Sequence, residues 1–209
     1  MIMQYGRTGL TDIALRNFRE MKLSDCKPTK STYKFLITTL CGNKGRNVDE
    51  AIKIYQEMVQ VGCAPDKELV ETYVGCLCEG PLPGRKLEDA LALMDETDSE
   101  RNLLNQYTYG SLIHGLLRRG QLEVALAKMK DMKHLGIHPT VHVYTALIIH
   151  FLKEKNINKA LETLEEMKEG GCQPTIVTYS ALISGYVRLG QVTDGMFLSS
   201  ETEWPITRF

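Results

Sequence analysis

Val141 to Thr175 reads VHVYTALIIHFLKEKNINKALETLEEMKEGGCQPT, and its landmarks recur on both sides. Gln106 to Thr140, QYTYGSLIHGLLRRGQLEVALAKMKDMKHLGIHPT, precedes it, and IVTYSALISGYVRLGQVTDG follows from Ile176. Aligned on Tyr109, Tyr144 and Tyr179, the copies lie 35 residues apart. A fixed period of that size marks a supersecondary unit that buries its apolar face only by stacking on its neighbours. Within the unit, Tyr144, Leu147, Ile148 and Phe151 fall at i, i+3, i+4 and i+7, one stripe of a helix rather than the alternation of a strand. The pattern breaks near Asn156, and a second stripe runs through Ala160, Leu161, Leu164 and Met167. Gly170, Gly171 and Pro174 close it, because glycine accepts the left-handed turn after a helix and proline cannot continue one. The expected fold is all-α, an α-solenoid of stacked antiparallel helical hairpins, each a helix A followed by a helix B.

Working outward, Met1 to Thr29 matches the unit from its seventh position, with Gly9 at the interhelix break and Ala14, Phe18 and Met21 on helix B. The chain is thus expected to begin inside a first helix, with a frayed edge. Lys30 to Asp66 carries Tyr33, Leu36, Ile37 and Leu40 on helix A and Ala51, Tyr55 and Met58 on helix B, with two extra residues in the loop GNKGRNVD. Lys67 to Asn105 is irregular: Val70, Tyr73, Val74 and Leu77 precede GPLPGR, whose prolines and glycines forbid one continuous helix, and Leu87, Ala90, Leu91 and Met94 follow it. Its last stretch, DETDSERNLLN, lacks the Gly and Pro stop. The array is expected to span residues 1–196, as a partial repeat 1–29, repeats 30–66, 67–105, 106–140 and 141–175, and a degenerate repeat 176–198. A disordered tail is expected over 199–209.

Composition excludes more than it assigns. A net charge of −1 and a pI near 6.5 do not announce a nucleic-acid binder, so such a role must rest on where the charges sit. The six cysteines lack paired metal-ligand spacing, and Cys26, Cys63 and Cys172 share one site before the repeat-ending proline, which points to reduced structural thiols. No apolar run approaches the length of a membrane span. MIMQYGRTGLTD is neither a secretory signal nor an Arg- and Ser-rich transit peptide.

These landmarks together resemble the pentatricopeptide repeat family. The resemblance is carried by Tyr144-Thr145-Ala146-Leu147-Ile148, Thr178-Tyr179-Ser180-Ala181-Leu182-Ile183, the pairs Ala125-Leu126 and Ala160-Leu161, Glu166-Met167-Lys168, and Gly171-Cys172-Gln173-Pro174-Thr175. Tetratricopeptide arrays have a similar period but favour Trp early in helix A, whereas Trp204, the single tryptophan here, lies in the tail. The resemblance implies a right-handed superhelix that binds single-stranded RNA, one base per repeat, in a plant mitochondrion or chloroplast. It implies no cofactor, metal, membrane or small-molecule substrate, and other organellar RNA-processing proteins as further partners.

In the family, a base is read by the residue after the helix-A tyrosine and by the last residue of the repeat. Carried over, the pairs are Lys34 with Asp66, Glu71 with Asn105, Gly110 with Thr140, and Thr145 with Thr175, and Ser180 is left single. The residue two before each tyrosine packs on the base, implying Ser31, Tyr107, His142 and Val177. Family pairs join Thr, Ser or Asn to Asp or Asn, so Lys34, Glu71 and Gly110 depart from the pattern. Thr145 and Ser180 lean towards purine. Read as residues alone, all of these are also ordinary surface positions of helix A.

A second signal is independent of the family. Arg7, Arg118, Lys153 and Arg188 share one repeat position near the end of helix A, where stacking would set them in a row. Glu79 and Gly42 interrupt that row. Cations near a helix C-terminus gain about 0.3–1 kcal/mol from the macrodipole, which alone explains them. Phosphate tracking explains them too, and about four contacts on a single strand would give a log–log salt slope of roughly −3. For catalysis there is no Gly-rich phosphate loop, no HxE with CxxC and no carboxylate cluster for two metal ions. His138 and His142 straddle Pro139, and His114 and His150 are expected to be solvated surface histidines. Three readings follow: an RNA-binding module without catalysis, a protein-interaction scaffold, and a truncated array with weak RNA affinity.

Overall fold

The computed structural model describes residues 11–24, 26–42, 47–79, 85–98 and 104–188. Among these it holds ten α-helices: α1 (Thr11–Leu23), α2 (Lys30–Gly42), α3 (Val48–Gln60), α4 (Lys67–Glu79), α5 (Arg85–Asp98), α6 (Gln106–Arg118), α7 (Leu122–His134), α8 (Val141–Lys153), α9 (Ile157–Glu169) and α10 (Ile176–Arg188). The fold is an all-α helical-repeat array in which α2, α4, α6, α8 and α10 are the A helices. The chain divides into two compact units, Met1–Leu116 and Leu117–Phe209. Arg7, Gly9, most of GPLPGR and everything after Arg188 lie outside the described residues.

Within the first unit, α2 pairs with α3 as a hairpin and also packs on α4, the next A helix, while α1 covers α2 and α5 covers α4. In the second unit α8 packs on α9 and α10 in the same way. The apolar stripes read from the sequence are the residues that do this. Tyr33, Leu36, Ile37 and Leu40 are buried, as are Tyr144, Leu147, Ile148 and Phe151, and Ala160, Leu164 and Met167. Tyr55 of α3 stacks on Tyr73 of α4, centroids 4.3 Å apart.

Each helix end has a cause. Gly62, Gly136 and Gly171 follow helices B at φ +80°, +73° and +75°, where a side chain is disfavoured. There Gly171 N–H donates to Lys168 O at 2.9 Å and Cys172 N–H to Met167 O at 3.0 Å, the paired bonds that close a helix on a left-handed residue. The helix A ends use the same device, with Gly120 at φ +74° after α6 but Lys155 at φ +59° after α8.

Successive A helices approach closely at their tenth residue. A Cβ on Gly115 of α6 would lie 3.1 Å from Cys78 Cβ of α4, and one on Gly185 of α10 would lie 2.6 Å from Leu152 Cδ2 of α8. His150 is the tenth residue of α8, and it is buried, with 9% of its surface exposed. This corrects the expectation of a solvated histidine. His114, one residue earlier in its helix, is exposed as expected.

A second inter-repeat contact recurs on the B helices. Glu57 of α3 accepts from Tyr33 Oη of its own hairpin at 2.9 Å and from Lys22 Nζ of α1 at 2.8 Å. At the same repeat position in the second unit, Glu166 of α9 accepts from Lys133 of α7, whose ammonium also lies 5.8 Å from the Tyr144 ring centre. Within Glu166-Met167-Lys168 the methionine is core, Glu166 joins its helix to the preceding hairpin, and Lys168 pairs with Glu165 along its own helix. All six cysteines are free thiols.

Candidate nucleic-acid interface

The residue that closes each repeat is also the residue from which the next helix A starts. The carbonyls of Thr29, Asp66, Asn105, Thr140 and Thr175 accept the first helical bonds, from the N–H groups of Tyr33, Val70, Tyr109, Tyr144 and Tyr179 at 3.0–3.2 Å. Asp, Asn and Thr suit this position because their side chains cap free N–H groups at a helix start. Asp66 Oδ1 accepts from Leu69 N–H at 2.9 Å. Asn105 Oδ1 accepts from the N–H groups of Tyr107 and Thr108, at 2.9 and 3.0 Å, and from the Thr108 hydroxyl at 3.1 Å.

Capping by one oxygen leaves Asp66 and Asn105 a second side-chain polar atom each, and that atom meets the other candidate reader. Lys34 Nζ lies 2.9 Å from Asp66 Oδ2 and 2.6 Å from Glu68 Oε2. The hydrogen bonds to Glu68 and Asp66 hold the Lys34 ammonium above its ordinary pKa. Burial works to raise Asp66, but the Leu69 N–H and Lys34 outweigh it and keep the carboxyl below its usual range. Asn105 Nδ2 donates to Glu71 Oε2 at 3.0 Å. Both sequence-inferred pairs of this unit are thus joined directly.

In the second unit Thr145 and Thr175 meet through a third residue. Thr145 Oγ1 lies 2.9 Å from Thr178 Oγ1, and Thr175 Oγ1 lies 3.3 Å from the same atom. Thr145 is itself buried, 7% exposed. Gly110 and Thr140 fall in different units. Gly110 offers no side chain, and Thr140 makes no side-chain cap bond. Ser180 is exposed.

The inferred base-packing positions all face solvent: Ser31 and His142 are exposed, Tyr107 is 62% exposed and Val177 63%. Arg118, Lys153 and Arg188 are the last residues of α6, α8 and α10, and each is exposed. None of them joins an ion pair among the described residues. Arg188 Nε donates to Ser184 O at 3.3 Å, back along its own helix. No group of three His, Cys, Asp or Glu among the described residues is placed to hold a metal ion, and none of the described helices is long and apolar enough to cross a membrane.

Two residues at this face escaped the sequence reading. Glu68 occupies the base-packing position of α4, and its carboxylate binds Lys34. Thr178 bridges the Thr145–Thr175 pair; the available signal was that Thr32, Thr108 and Thr178 are each the third residue of a helix A.

Comparison with known proteins identifies the repeat. The pentatricopeptide repeat domain model matches residues 1–44 and 129–188, the PPR repeat family model 104–149, and the PPR repeat model 31–63. The chain belongs to the pentatricopeptide repeat family. A mitochondrial pentatricopeptide repeat-containing protein of Arabidopsis thaliana is 47% identical, over 54% of this chain and 14% of that protein. Another from the same plant is 31% identical over 54% of this chain and 23% of its own length. The chain thus spans less than a quarter of the curated relatives it matches. Among solved structures it resembles the pentatricopeptide repeat protein PPR10 from maize, with TM-score 0.64 and 28% identity over 93% of this chain and 28% of that one. It also resembles PPR10 in complex with an 18-nucleotide psaJ RNA element, with TM-score 0.67 and 23% identity over 100% of this chain and 33% of that one. The pentatricopeptide domain of Arabidopsis thaliana protein-only RNase P 1, solved with tRNA, has TM-score 0.64 and 19% identity over 77% and 84% of the two chains.

Proposed function

We propose that this chain binds single-stranded RNA along its A helices, about one base per repeat, with no catalysis of its own. By occupying a transcript in a plant organelle it alters processing, editing, stability or translation. The mitochondrial relative favours the mitochondrion over the chloroplast. The observation that carries the reading is the recurrence of an exposed cation, in no ion pair among the described residues, at the last residue of α6, α8 and α10. A macrodipole role would be satisfied by a cation anywhere in the last turn; recurrence at the same residue in three of the five A helices suits a phosphate spacing. The relatives solved with RNA support the same partner.

In this reading Arg118, Lys153 and Arg188, with Arg7, contact phosphates. Tyr107 and His142 stack on bases, Ser31 and Val177 pack against them, and the closing residues with Lys34, Glu71, Gly110, Thr145 and Ser180 face the base edges. Binding of short single-stranded RNA to wild type and to the double variant Arg118→Glu, Lys153→Glu tests it. The variant is expected to lose at least tenfold in affinity at low salt; equal affinity would remove the reading.

One observation favours a second reading, a protein-interaction scaffold. Lys34 and Glu71 already bond within the protein, to Asp66, Glu68 and Asn105. Capture of a protein partner that survives ribonuclease and high salt would support it over RNA.

A further inference from the structure

Three A helices place a threonine third, and each time its hydroxyl meets the residue that closes the preceding repeat. Thr32 Oγ1 lies 3.1 Å from Thr29 Oγ1, Thr108 Oγ1 donates to Asn105 Oδ1 at 3.1 Å, and Thr178 Oγ1 lies 3.3 Å from Thr175 Oγ1. Where Leu69 stands third, Asp66 is held by a backbone N–H. Where Val143 stands third, Thr140 has no side-chain cap bond. The hydroxyl therefore ties the closing side chain down. Thr178 goes further, reaching Thr145 at 2.9 Å as well, and it is 0% exposed.

We propose that Thr178 is a specificity-positioning residue for the repeat before its own, coupling Thr145 and Thr175 so that they take opposite hydrogen-bonding roles towards a base. The proposal rests on the RNA-binding reading above. A hydroxyl has one proton and two acceptor sites. The Thr175 backbone N–H, at 3.2 Å, occupies one acceptor site of Thr178. One proton and one acceptor site remain, shared between two threonine hydroxyls. Thr178 therefore donates to one and accepts from the other. The threonine that receives keeps its own proton for a ligand, and the one that gives keeps lone pairs alone. The pair can therefore offer a base one donor beside an acceptor, but never two donors. An edge such as that of adenine, with N6–H2 beside N7, matches this offer; the N7 and O6 edge of guanine, two acceptors, does not. Burial of Thr178 protects the coupling, since water has no access to replace either partner.

The test is selection of a random-sequence single-stranded RNA pool on the full 209-residue chain, for wild type, Thr178→Val, Thr178→Ser and Thr145→Val. At one position of the selected motif, a wild-type bias of about tenfold falls to about twofold in Thr178→Val and persists in Thr178→Ser. Thr145→Val alters the same position and no other, and the salt dependence of affinity is unchanged throughout. A merely structural role would instead weaken every position together with thermal stability. An unaltered bias in Thr178→Val, a loss spread over all positions, or an effect of Thr145→Val at a different position overturns the proposal. Should the valine variant fail to fold, Thr178→Ala is read by the same criteria. Wild type that selects no motif removes the RNA reading and this inference together. A wild-type motif that the variants leave intact removes the role of Thr178 alone.

Discussion

Lys155 shows how much one backbone angle holds. It sits at φ +59° where Gly120 occupies the same repeat position at +74°, and a side chain there costs about 1–2 kcal/mol. Glycine gives back part of that through its freer unfolded chain. Lys155→Gly is therefore expected to stabilise the fold by about 1 kcal/mol in denaturant titration; a lower midpoint would show that the lysine stem contributes more than the strain. Tyr33 is the residue whose titration reports its surroundings. Burial first, then its hydrogen bond to the Glu57 carboxylate, pushes the phenol from 10.0 up to about 12. Between those values the unfolded chain has lost the proton that the folded chain keeps, so stability is complete below pH 10 and declines as pH rises towards 12. Tyrosinate absorbance should show Tyr33 titrating late, as burial also makes Tyr73 and Tyr144 do, and Glu57→Gln should bring one of these late phenols earlier.

Helix contacts set the second scale. The tenth residue of α6 faces α4 and that of α10 faces α8, which explains a glycine at Gly115 and Gly185. Gly185→Ala forces its Cβ against Leu152, at 2.6 Å before any adjustment. Overpacking of this kind costs about 1–3 kcal/mol. Combining it with Leu152→Ala should cost less than the sum of the two single changes, and strict additivity would mean the helices do not meet there. The ion pair between B helices is weaker. Lys133 and Glu166 are 37% and 46% exposed, so Glu166→Gln is expected to cost under about 1 kcal/mol, with the loss shrinking in high salt.

Binding is a property of the array. Single cations at the ends of α6, α8 and α10 are weak ligands, but three phosphate contacts together give a log–log salt slope of roughly −2 on single-stranded RNA. A slope near zero in the wild type would mean that Arg118, Lys153 and Arg188 serve their own helices. With a net charge of −1, this dependence would come from placement and not from bulk charge. The chain covers 14% of its mitochondrial relative, so its affinity is expected to be modest beside that of a long array, where contacts along one strand accumulate.

Much of this was legible because a repeat states its own geometry several times. The 35-residue period, the stripes from Tyr144 to Phe151 and from Ala160 to Met167, and Gly171 with Pro174 determined hairpins, their ends and their buried faces, since periodicity and backbone freedom are local properties of the chain. The family resemblance implied the pairs Lys34–Asp66 and Glu71–Asn105, whose side chains lie 2.9 and 3.0 Å apart in the structure. Tertiary structure alone decided what each polar group meets. His150 is buried, Glu68 reaches back to Lys34, and Thr178 gathers two threonines from the preceding repeat. Those outcomes depend on the packing of one repeat against the next, where separations of a few ångströms decide which hydrogen bonds form, and no single stretch of sequence encodes them.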